Sequence, residues 1–162
     1  MEPQSTNTKS GTRPLFIGCG IIALVVFFAV VVLIIWLFIG NEGGVRMSNE
    51  MEEYALAYIE EHDILNDTES IIAYYDVTIS LDGSEAAILT TERVMYYKKG
   101  RTTSIDLKNI DDVKHRYETL IGDILEISST SGTIIKIEIA PLNLGESFYN
   151  ALMDTWKIGA ES

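Results

Sequence analysis

The feature that most restricts this chain is an uncharged run from Leu15 to Ile39, 25 residues bounded by Pro14 and by Asn41-Glu42-Gly43-Gly44. As a helix it would rise about 37 Å at ~1.5 Å per residue, more than the roughly 30 Å hydrocarbon core of a bilayer. Its centre, Ile21 to Ile35, is Ile, Leu, Val and Phe, with Ala23 and Ala29 the only small residues. A buried core helix of that length would still need a polar face to give to water, and this run has none. The run therefore predicts a single transmembrane helix.

A cleaved signal peptide fits less well, because its apolar stretch should be about 7–15 residues and end at a small-residue cleavage site. Here Phe38, in Leu37-Phe38-Ile39-Gly40, stands where a small residue is needed. Cys19 follows Phe16-Ile17-Gly18 in a lipoprotein-like way but lies near the start of the run, so it reads as a membrane thiol or a palmitoylation site. It is the only cysteine, which excludes an intramolecular disulfide.

The flanks predict an orientation. Lys9, Arg13 and the amino terminus stand against Glu2 on one side. On the other, Glu42, Glu50, Glu52 and Glu53 stand against Arg46. Positive flanks stay cytoplasmic, so the expectation is a single-pass membrane protein, N-terminus inside and the rest of the chain outside.

Residues 1–14 are polar and aperiodic and are expected to be disordered; residues 40–47 read as a linker. An amphipathic helix is expected over 48–65. Ser48 would be its N-cap, Met51, Tyr54, Ala55 and Tyr58 its apolar stripe, and Glu50, Glu52 and Glu53 its acidic first turn. One domain remains, residues 66–160, large enough for its own core.

From residue 70 the hydrophobic period switches from 3.6 to 2. Ile71, Ala73, Tyr75, Val77, Ile79 and Leu81 predict a strand with one buried face, ended by Asp82-Gly83. Ala86–Thr90, Arg93–Lys98, Thr102–Leu107, Ile110–Tyr117, Asp123–Ser128 and Thr133–Ile139 follow as strands separated by tight turns. About seven short strands so connected predict a mainly β, antiparallel barrel or sandwich. Pro141 stops the last strand. Asn143 with Glu146 resembles a capping box before a closing helix whose stripe is Phe148, Leu152 and Trp156.

A strand-rich body closed by one C-terminal helix resembles a pleckstrin-homology-like (PH-like) domain, and the local pattern sharpens the likeness. Ala87-Ile88-Leu89-Thr90-Thr91-Glu92-Arg93-Val94-Met95-Tyr96 is similar to the apolar-Leu-Thr-x-x-Arg-apolar-x-Tyr hairpin of bacterial PH-like domains. Ser104 to Val113, read as apolar-x-Leu-x-x-Ile-x-x-Val, is similar to the strand that follows it. The resemblance covers roughly residues 66–158. It implies an interaction module, and the fold alone does not choose between lipid, peptide and purely structural roles. In the wider superfamily, basic residues of the first inter-strand loop bind phosphoinositide headgroups. Here that loop is Leu81-Asp82-Gly83-Ser84-Glu85, and the carry-over fails at the residues that matter.

Charge narrows the ligands further. The chain has 24 acidic and 12 basic side chains, and residues 41–162 carry a formal −13. That repels nucleic acid and anionic lipid. One local exception runs from Arg93 to Arg116, with seven basic residues and only Asp106, Asp111 and Asp112 as acids. Lys98, Lys99 and Arg101 form a candidate anion or lipid-headgroup contact there. The stronger reading is edge charges that block strand-to-strand aggregation.

Catalytic chemistry is poorly supplied. The two histidines, His62 and His115, lack a nucleophile or a common metal-ligand spacing, Asp111-Asp112 beside His115 included. No hydrolase, zinc-protease or phosphate-loop motif occurs. The chain is therefore expected to be non-enzymatic, without cofactor or metal, and to bind a protein partner or a second copy of itself. Tyr54, Tyr58, Tyr96 and Tyr97 are the candidate contacts, and an open sheet edge or the groove beside the closing helix the candidate surface.

Overall fold

A computed structural model describes residues 24–33 and 43–160. Residues 24–33 are helical (α1) and form part of a unit separate from residue 43 onward. Among the described residues no helix is long and apolar enough to cross a membrane. This overturns the expected transmembrane anchor over Leu15–Ile39, and with it the single-pass membrane localisation and its orientation. The ten helical residues described rise about 15 Å, half of a bilayer's apolar thickness. The rest of the run, with Cys19 and the segment 1–14, lies outside the described residues.

From residue 43 the chain folds as two antiparallel sheets. Strands β1 (Arg46–Met47), β2 (Ile71–Asp76), β3 (Glu85–Thr90), β4 (Arg93–Lys98) and β5 (Arg101–Asp106) lie side by side in that order. Strands β6 (Ile110–Glu118), β7 (Gly122–Ser129) and β8 (Ile134–Ile139) form the second sheet. The result is a sandwich of eight strands rather than a closed barrel. Helix α2 (Glu53–Glu61) and helix α3 (Gly145–Ala160) complete it.

The core explains the strand pattern. Ala73, Tyr75, Leu89, Val94 and Ile105 of the first sheet meet Leu125, Ile127, Ile135, Ile137 and Ile139 of the second, and Phe148 and Leu152 of α3 close that layer. The first sheet also buries its other face. Tyr74, Ala86, Ile88, Met95 and Tyr97 pack under Ala55 and Ile59 of α2 and under Ile64. Strands β2 to β4 are thus covered on both sides, where alternation alone predicts one buried face.

Three boundaries differ from expectation. Arg46 and Met47, expected as linker, pair with Tyr74 and Ala73 as an added strand, anchored by buried Val45. Residues Ser48–Glu50 form a 3₁₀ turn, so the helix starts at Glu53 and Ser48 does not cap it. Strand β2 ends at Asp76 rather than Leu81. The buried Asp76 carboxylate accepts from Thr78 N (2.8 Å), Thr78 Oγ1 (2.5 Å) and Gly83 N (2.8 Å), which folds residues 77–84 into a loop and leaves Ile79 in solvent.

At the C-terminal end, the Asn143 amide donates to Tyr75 Oη (3.4 Å), which also receives Ala140 N (3.2 Å). Asn143 therefore ties the closing segment to β2 of the other sheet.

Candidate functional site

The hairpin β3–β4 is held by the residues that carry the family-like pattern. Thr90 is buried in the turn; its Oγ1 accepts from Glu92 N (3.2 Å) and Arg93 N (3.0 Å) and donates to Arg93 O (3.1 Å). Arg93 then reaches outward to Glu69 and to the carbonyl of Ile64 (3.3 Å). Leu-Thr-x-x-Arg is thus a structural clamp: an apolar residue for the core, a threonine for the turn, and an arginine for the preceding loop.

The basic turn lies at the far end of the same hairpin. Lys98 pairs with Arg101 across a two-residue turn in which Lys99 (φ 46°) and Gly100 (φ 80°) are both left-handed, the arrangement that suits the twist of a hairpin. Lys98 Nζ lies 2.9 Å from Glu85 Oε1, with 59 % of its side chain exposed. Tyr96 Oη also donates to Glu85 Oε1 (2.5 Å). These bonds, Tyr96 foremost and Lys98 after it, hold the Glu85 carboxyl below its ordinary range. An anion arriving at Lys98, Lys99 and Arg101 therefore meets a resident carboxylate. The adjoining loop adds Asp82, held down to about 2 by hydrogen bonds from Ser84 and Ser80.

The four candidate tyrosines are brought together only in part. Tyr97 is buried under α2, and its hydroxyl lies 3.4 Å from that of Tyr58, whose ring stacks on His62 (centroids 3.9 Å). The Tyr97 bond and then burial push the Tyr58 phenol up to about 12. Tyr54, half-buried on α2, is raised by burial and by the Asp76 charge. Tyr96 lies on the opposite face of the sheet against Glu85 and is raised by burial first.

His115 is not grouped with Asp111 and Asp112. Its Nε2 lies 2.7 Å from Asp123 Oδ1, and its ring stacks on Tyr149 of α3 (centroids 4.5 Å), joining β6, β7 and the closing helix.

A groove of about 720 Å³ lies beside the C-terminal half of α3. Helix α3 crosses the 3₁₀ turn Leu107–Asn109 here. Ile72, Leu107 and Thr155 line the groove with Ile158, and Glu92 and Asp106 stand with Lys108 along it. Its residues come from four separated stretches of chain, so no local pattern in the sequence marks it.

Two antiparallel sheets crossed by one C-terminal helix define the class of PH-like interaction modules. The chain belongs to the bacterial PH domain family: the model described as Bacterial PH domain matches residues 65–154. The fold is also similar to the crystal structure of a DUF1696 family protein with a pleckstrin-homology domain from Shewanella loihica PV-4. The TM-score is 0.51 at 12 % identity, covering 70 % of this chain and 98 % of that one. A comparison with curated proteins finds no match. Domains of this family are generally not enzymes, and the clamp at Thr90 and Arg93 reads accordingly as architecture.

Proposed function

We propose that this PH domain is a non-enzymatic docking module whose ligand is a segment of a protein partner, seated in the groove between α3 and the Leu107 turn. The observation that carries this reading is the groove itself: an apolar floor of Ile72 and Leu107 with a polar rim, the composition of a peptide-recognition surface. The tyrosines have less to offer a partner, since Tyr58 and Tyr97 are engaged with each other and Tyr96 with Glu85.

Anion or lipid-headgroup binding at Lys98, Lys99 and Arg101 is the weaker alternative. Glu85 occupies Lys98, and the −13 carried by residues 41–162 repels anionic surfaces.

The test sets the two surfaces against each other. Thr155→Trp would fill the groove, and Lys98→Glu/Lys99→Glu would reverse the turn. Capture of protein by the full chain should fall in the first variant and persist in the second. Flotation with vesicles containing anionic lipid, lost in the second variant and at high salt, would instead favour the turn.

A further inference from the structure

The groove has a charge character that narrows its ligand. Glu92 and Asp106 both line it, and neither forms an ion pair among the described residues. Glu92 Oε1 accepts only from Thr68 Oγ1 (2.8 Å) and Asp106 Oδ2 only from Asn109 Nδ2 (3.3 Å), both neutral donors. Arg93 is the residue directly opposite Asp106 in the β4–β5 register, yet its guanidinium is taken by Glu69 and the Ile64 carbonyl. The cation nearest in register is therefore committed elsewhere.

The C-terminal part of α3 borders the same groove through Thr155, Ile158 and Gly159. The partial negative charge of its helix end is met by Lys157 in the last turn, so the negative charge of the groove rests on the two carboxylates. Lys108 is the single basic residue of the lining. The wider domain is acidic, so the field outside the groove has the same sign as the field within it. Ile72 and Leu107 line the same groove as the carboxylates. At Gly159 the helix runs beside Leu107: a Cβ there would make an ordinary contact, 3.8 Å from Leu107 Cβ.

We infer that the groove takes a partner segment in which a lysine or arginine directly neighbours an aliphatic side chain, the cation against Glu92 and Asp106 and the aliphatic group on Ile72 and Leu107. This rests on the docking reading above and deepens it. Charge sets the preference because the two carboxylates act together on a cation, while an acidic peptide would meet both as like charges. A flexible basic stem also covers apolar surface with its methylenes while its head stays at the rim.

The experiment is selection of a phage-displayed library of random linear peptides on the immobilised full chain, with three variants as controls. Thr155→Trp fills the groove. Glu92→Lys/Asp106→Lys reverses the rim. Glu92→Gln/Asp106→Asn removes its charge and retains an acceptor for Thr68 and for Asn109, so that it stays folded if the reversal does not. Thermal melts check each variant.

The expected result is enrichment of Lys or Arg beside Leu, Ile, Val or Met. Affinity should drop at least tenfold in the charge-neutral variant, weaken with added salt, and be lost in Thr155→Trp. Peptides blocked by Thr155→Trp but without basic residues, or indifferent to the rim variants, would overturn the inference and leave the docking reading standing. If no selected peptide is sensitive to Thr155→Trp, both fall.

Discussion

Arg93 and Glu69 form a two-pronged ion pair at the edge of the hairpin clamp: Arg93 Nε lies 2.7 Å from Glu69 Oε1, and Nη2 donates to Oε2 at 3.2 Å. The Glu69 side chain is fully buried and that of Arg93 is 18 % exposed, so each charge depends chiefly on the other. Neutral partners assist them: Asn66 Nδ2 donates to Glu69 (2.8 Å), and the Ile64 carbonyl accepts from Arg93. Removing one partner leaves an uncompensated buried charge. Arg93→Ala or Glu69→Ala should each cost about 3–5 kcal/mol, read as a fall in the urea midpoint. Replacing both with apolar residues of similar volume should cost much less than either single change. That non-additivity separates the pair from simple loss of packing.

Gly122 gives a sharper backbone prediction. Its φ is +98°, and a Cβ built on it would collide with the carbonyl oxygen of Ile139 and the Ala140–Pro141 bond. Neither of these can move aside as a flexible side chain would. Gly122→Ala should therefore part β7 from the end of β8, disrupt the Asp123–Ile139 register, and destabilise by several times the roughly 1 kcal/mol of an ordinary glycine substitution. Amide exchange should rise first at residues 122–124 and 138–141. An unchanged melting temperature would contradict the close approach.

Acid should weaken the loop end of the first sheet before the rest. Asp82, held near 2 against an ordinary 3.8, and Glu85, held below its ordinary 4.5, both bind protons less readily when folded than when unfolded. Their contribution is thus complete above about pH 4.5, begins to fall there as unfolded Glu85 protonates, and is lost as pH drops toward 2. The urea midpoint should decline over that window. The decline should be shallower in Asp82→Asn and in Glu85→Gln, and equal slopes in all three proteins would remove these two carboxylates from the account.

Much of this architecture is legible in the sequence where short-range patterns act alone. The hairpin Ala86–Lys98 is readable because alternation, the Thr91-Glu92 turn and the Lys99-Gly100 turn agree on one register, and the Phe148-Leu152-Trp156 stripe marks a helix. The misreadings share a cause, tertiary context. Tyr74 looks like the wet face of a strand because nothing local announces that α2 covers it. The register shift between Ile71 and Ala73 puts Ile71 rather than Ile72 on that side. Val45 reads as linker because its burial depends on a two-residue strand and on its N–H reaching Asn143 O (3.0 Å). The alternation through Val77, Ile79 and Leu81 is as good as that before it, and only the hydrogen bonds to Asp76 break it. The charge-free run from Leu15 invites a spanning helix on composition, and among the described residues no helix is long and apolar enough to cross a membrane.

The candidate site divides in the same way. Lys98, Lys99 and Arg101 stand out as adjacent charges, but the partner that neutralises Lys98 sits 13 residues away on β3. The groove is invisible locally, because Ile72, Leu107 and Thr155 meet only through the crossing of α3 over the end of the first sheet.

The most direct test of the central claim is site-specific photo-crosslinking of the full chain in the cells that produce it, with the reactive side chain placed at Thr155 or, in parallel, at Lys99. Docking in the groove predicts a discrete protein adduct from position 155 that is lost in Glu92→Lys/Asp106→Lys, and none from position 99. An adduct confined to position 99, or none from position 155, would contradict it.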